Sequence, residues 1–126
     1  MGIIRWHSWS FPDASSKEGE FMGEYIQVIT TVEKREDAAR IARHLVEKRA
    51  AACVQVVGPI ESTYWWKNVV EESQEWQCII KTEKHRFEAV QKLIMEVHPY
   101  EVPEIIGLPV ELGNREYLDW VSQELR

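Results

Sequence analysis

Residues 50–83, AAACVQVVGPIESTYWWKNVVEESQEWQCIIKTE, read as one long β-hairpin. The first arm is rich in Val, Ile, Tyr and Trp, as is the inner half of the second, and such residues suit a pleated, half-buried surface. The turn falls at Lys67 and Asn68, because Asn tolerates the positive φ that a two-residue hairpin turn requires. Gly58 and Pro59 interrupt the first arm. Pro cannot donate to a ladder and Gly often marks a bulge, so a kink and an edge position are expected there. Each arm then runs to about fifteen residues, against about five or six for an ordinary strand. That excess length decides how the molecule must be completed.

The chain has 126 residues, enough for one domain with a real core. Its 44% hydrophobic and 29% charged residues suit a globular protein and exclude a disordered one. A formal net charge of -6 argues against nucleic acid or an anionic membrane as partner, since both attract basic patches. No apolar run approaches the roughly 18 residues of a membrane span. Two cysteines make no disulfide framework. With Trp66 opposite Val69, the ladder places Cys78 opposite Val57 and Cys53 opposite Thr82. Positions separated by four steps of a ladder lie about 13 Å apart, beyond the roughly 7 Å Cα separation of a disulfide. A one-residue bulge at Gly58 does not close that gap. Both cysteines are expected to be free thiols acting as small buried hydrophobes, as in a reducing cytoplasm.

Residues 1–23 sustain neither helical nor strand periodicity and are broken by Pro12, Ser15, Ser16 and Gly19. They lack the basic and apolar regions of a secretory signal and read as an unstructured leader or an added extension. A single domain is expected over residues 24–126. Residues 25–31 form a strand with Ile26 and Val28 on one face and Gln27 on the other. A helix follows, starting from Thr31 or Glu33, with Glu36 and Asp37 favoured by its dipole. Its buried stripe is Ala38, Ile41, Ala42, Leu45 and Val46, and His44 lies off that stripe as a solvated residue. Residues 84–97 make a second amphipathic helix with Phe87, Val90, Leu93, Ile94 and Val97 inward, ended by Pro99. Residues 104–108 read as a short edge strand bracketed by Pro103 and Pro109. Asn114 caps a final helix over residues 115–125, with Leu118, Val121 and Leu125 inward.

The order β-α-β-β-α-β plus a terminal helix predicts an α+β, ferredoxin-like fold, a four-stranded antiparallel sheet with two helices on one face. Helices of about fourteen residues are about 21 Å long, whereas a fifteen-residue arm is about 50 Å. The distal hairpin, with Tyr64, Trp65, Trp66 and Trp76, therefore projects beyond anything the chain itself can cover. An exposed aromatic strand edge of that size needs a partner, and the simplest is another copy of the chain. An obligate homo-oligomer closed through these hairpins follows.

No Gly-rich phosphate loop, CxxC or HExxH spacing is present, and no nucleophile set can be assembled from sequence alone, so an enzyme is not expected. The stretches RAAACVQVVGPIESTYWW, CIIKTE and HPYEVPEIIGLPVELGNREYLDW closely resemble the CutA family, named for divalent-cation tolerance. The resemblance runs from Tyr25 to the C-terminus and omits the first 23 residues. It implies a compact homotrimer with a fold similar to the PII signalling proteins, no required cofactor, and a role in tolerance to copper (Cu2+) and other divalent metals. In some members copper is held by a cysteine, an extra histidine and the Glu of the HPY-x-x-PE motif. Those positions are Thr30, Val97 and Glu104 here, so only Glu104 survives, and without soft ligands that site is not expected.

The remaining metal candidates are His98, Glu101 and Glu104, with Cys53 on the partner element. His98 reads equally as a helix-end residue donating to backbone, and Tyr100 as packing or as a pocket hydroxyl. Lys81, on a mostly apolar strand, suggests an inter-subunit ion pair or an anion site. Two functions remain open: a trimer that binds or responds to divalent cations at inter-subunit clefts, or a non-catalytic PII-like module holding a small ligand or protein partner there.

Overall fold

A computed structural model describes residues 24–126, so the leader expected over residues 1–23 lies outside the described residues. The elements are β1 (Tyr25–Val32), α1 (Arg35–Glu47), β2 (Cys53–Trp66), β3 (Val69–Glu83), α2 (Phe87–Val97), β4 (Ile106–Val110) and α3 (Arg115–Glu124). The four strands form one antiparallel sheet in the order β2-β3-β1-β4, which is the ferredoxin-like arrangement the element order implies. Both β2 and β4 are edges. Pro109 lies inside β4, opposite Ile26, where an edge strand tolerates the missing N–H. The strand is therefore shifted two residues toward the C-terminus from the expected 104–108, and Glu104 and Ile105 precede it.

The turn between β2 and β3 has φ of 49° at Lys67 and 67° at Asn68, the geometry of a tight two-residue hairpin. From Trp66 opposite Val69 the ladder runs in the expected register as far as Ile60 opposite Glu75. Beyond Gly58-Pro59, a cis peptide, Val57 faces Gln77, so β2 carries one extra residue. Cys53 consequently faces Lys81 and Cys78 faces Val56, not Thr82 and Val57. Both cysteines are free, with Cys78 buried and Cys53 half-buried. The bulge has a packing cause as well. A Cβ at Gly58 would lie 2.6 Å from Cε3 of Trp76, so only glycine lets the strand pass over the indole.

One face of the sheet carries α1 and α2. Ile26, Val28, Val32, Cys78 and Ile80 meet Ala38, Ile41, Leu45, Val90 and Ile94 there in the main core. The helix ends are less regular than expected. Helix α1 starts at Arg35 with Lys34 at its N-cap and no side-chain cap, so neither Thr31 nor Glu33 opens it. Val46 is 40% exposed and Ala42 half-buried, so the buried stripe is narrower than the apolar pattern implies. His44 is half-buried, with Nε2 3.0 Å from Glu96 Oε1. A 3-10 turn at Lys84–Arg86 precedes α2. Asn114 caps α3 by accepting from the Glu116 N–H at 3.0 Å.

Helix α3 lies on the opposite face, where Leu118, Val121, Leu125 and the unforeseen Trp120 bury Tyr25. The Tyr25 hydroxyl donates to Ser122 Oγ at 2.6 Å, and Ser122 Oγ donates to Glu83 at 2.8 Å. This relay holds α3 over one end of the sheet only.

Candidate functional site

Strand alternation defines the face that α3 leaves open. It presents Ile29 on β1, Gln77, Ile79 and Lys81 on β3, Val57 on β2, and Ile106 and Leu108 on β4. Val57, Ile106 and Leu108 are exposed large apolar side chains. The hairpin extends beyond β1, whose last residue, Val32, pairs with Trp76. In this overhang Tyr64 is 42%, Trp65 74% and Trp66 58% exposed. Lys67 Nζ sits 5.6 Å from the Trp66 ring. Trp76 does not belong to the overhang. It packs half-buried against the main core, with the Arg35 guanidinium 5.6 Å over its ring. The reason is reach: β1 extends one residue further than expected and brings the core level with Trp76.

Where the open face meets the overhang, the segment after α2 crosses the end of β1. His98 is 9% exposed, its Nε2–H donating to the Thr31 carbonyl at 3.0 Å. Its Nδ1 accepts the Tyr100 backbone N–H at 3.1 Å. Only the neutral Nε2–H tautomer satisfies both bonds, and burial pushes the imidazole below its usual pKa while the Thr31 bond opposes the shift. The Tyr100 hydroxyl donates to Glu75 Oε2 at 2.7 Å. Burial, followed by that bond, holds the phenol far above its ordinary range.

The candidate metal ligands do not converge within one chain. Both ring nitrogens of His98 are committed to backbone, and Glu101 and Glu104 are exposed. Cys53 lies at the level of Lys81 and Gln27, near α3, four residues of β1 away from Thr31. Burial raises its thiol pKa, and Lys81 partly offsets the rise. Among the described residues no group of three or more His, Cys, Asp or Glu side chains is placed to hold a metal ion. Thr30 is fully buried opposite Cys78, and Val97 packs on the core. These two positions serve packing, and the described residues of one chain do not fit a copper ion.

Glu75 is the functional candidate missed by sequence reading. It is 8% exposed, although it sits in the polar run EESQE. Its one sequence signal is period-2 alignment with Gln77, Ile79 and Lys81.

The CutA1 divalent ion tolerance protein family matches residues 26–124. The chain belongs to this family. It is 46% identical over 96 residues to the divalent-cation tolerance protein CutA of Thermus thermophilus, covering 76% of this chain and 93% of that protein. It is 43% identical to Protein CutA of Mus musculus over 90% of this chain, but spans only 64% of that relative's length. The crystal structure of CutA1 from Oryza sativa aligns with a TM-score of 0.80 at 37% identity, covering 84% of this chain and 97% of that one. The family and its Thermus thermophilus member are named for tolerance to divalent ions and not for a reaction.

Proposed function

We propose that this CutA1-family chain works as a homotrimer in divalent-cation tolerance, binding or responding to divalent metals such as copper, with no catalytic step. The observation that carries this reading is the family match over residues 26–124. Assembly through a PII-like trimer is supported by the apolar open face and the aromatic overhang, which one chain leaves in water. Because the described residues of one chain do not gather a ligand set, a metal ion would sit between subunits, held weakly by the exposed carboxylates Glu101 and Glu104. Two free thiols support a reducing, cytoplasmic location.

Calorimetric titration of Cu(II) into wild type and a Glu101→Gln/Glu104→Gln double variant tests the metal role. Glutamates are the better targets, since replacing His98 also removes two backbone bonds. The expected result is a fixed number of ions per trimer in wild type and none in the variant. Heat from neither protein contradicts it.

The commitment of both His98 nitrogens to backbone favours a second reading. In it the clefts hold a small ligand or a protein partner. Such a partner would be lost on substitution of Trp66 or Lys81.

A further inference from the structure

Strand alternation puts one basic residue, Lys81, and one buried, cation-free carboxylate, Glu75, on the same face of β3, the first near the end of the strand and the second near its middle, just beyond the end of β1. Glu75 is 8% exposed. The bond it receives comes from the neutral Tyr100 hydroxyl, and no described cation forms an ion pair with it. A carboxylate taken out of water with a single neutral donor is expensive unless a positive charge approaches it. Lys81 is half-buried between Gln27 on β1 and Cys53 on β2. It too forms no ion pair among the described residues. Glu83, which shares this face, is already engaged by Ser122, His85 and Arg86. Six residues along a strand are about 20 Å, so Glu75 and Lys81 cannot meet within one chain.

We propose that Glu75 and Lys81 are the two halves of an inter-subunit ion pair, the Lys81 ammonium of one copy entering the notch formed by Glu75 and Tyr100 of the next. This rests on the homotrimer reading. Copies related head to tail bring one end of the face to the other end of its neighbour, and in a closed ring every pair is formed. The notch is incomplete in one chain because its cation belongs to another. Tyr100 then positions the carboxylate, and Lys81, which a purely apolar interface would exclude, sets the register in which the faces dock.

A double-mutant cycle in the full chain tests the pair, with the trimer association constant read by sedimentation equilibrium. Glu75→Gln keeps an acceptor for Tyr100, and Lys81→Met keeps the length of the side chain. Each single variant should weaken association on the order of a hundredfold. The double variant should be no weaker than the worse single one, and Lys81→Arg should restore most of the loss. Unchanged association in Lys81→Met, or losses that multiply in the double variant, overturns the pair while leaving the trimer intact. A wild-type chain that is monomeric at every concentration overturns the trimer reading, and the pair with it.

Discussion

Thr30 and Cys78 face each other across β1 and β3, both fully buried under α1. Their hydrogen-bonding states differ. Cys78 Sγ donates weakly to the Ala38 carbonyl at 3.6 Å, while Thr30 Oγ1 has no partner. An unpaired buried hydroxyl costs free energy that an isosteric methyl does not. Thr30→Val should therefore leave the urea midpoint unchanged or raise it, and a loss above about 1 kcal/mol would mean that the hydroxyl is bonded. For Cys78, burial pushes the thiol from 9.0 up to about 11. The folded chain thus holds its proton more tightly than the unfolded one. The stabilisation is complete below about pH 9 and is lost as the pH rises through about 11. Denaturation from pH 8 to 11, where the folded thiol is half titrated, should show wild type losing about 2 kcal/mol more than Cys78→Ala, at about 1.4 kcal/mol per pKa unit. Parallel profiles would show that the thiol titrates as in water.

At the scale of the element, the hairpin is what the sequence displays most openly. Its composition, the Lys67-Asn68 turn and the interruption at Gly58-Pro59 are local signals, and they locate both arms and the bulge. Whether the bulge moves the inner register is not local, because it depends on how Trp76 fills the space under β2. Gly58→Ala should accordingly destabilise by about 1–3 kcal/mol, as overpacking does. The added methyl would meet the indole at 2.6 Å and the Glu75 carbonyl at 3.2 Å. Gly107→Ala should cost less, its nearest contact being Phe87 at 3.4 Å. A urea series ranking the two the other way would remove the packing argument for the bulge. The helix stripes were legible from the 3.6-residue period, yet Val46 shows that period alone cannot say how far the sheet reaches under α1. The candidate site was less legible. His98 and Tyr100 stand out by type, but their bonds to Thr31 and Glu75 cross 67 and 25 residues of chain. The pairing of Glu75 with a phenol has no sequence pattern at all.

The whole molecule is defined by what it leaves uncovered. Helices α1 and α2 cover one sheet face and α3 covers an end of the other, so the apolar remainder and the overhang of Tyr64, Trp65 and Trp66 face water in a single chain. Both faces of the overhang's tip are apolar: Trp66 pairs with Val69 and Trp65 with Val70, on opposite sides. One chain cannot bury both. Substitution at the tip should therefore separate folding from assembly. In the isolated chain Trp66 is mostly exposed, so Trp66→Ala should change monomer stability by no more than about 0.5 kcal/mol. In the assembly it should cost about 3–5 kcal/mol, as truncating a buried aromatic does. Native mass spectrometry of the full 126-residue chain, wild type beside Trp66→Ala across a range of concentrations, reads this most directly. The account predicts wild type at three chain masses down to the lowest concentration, and the variant dissociating to folded monomers. A monomeric wild type, or a variant as trimeric as wild type, would contradict it.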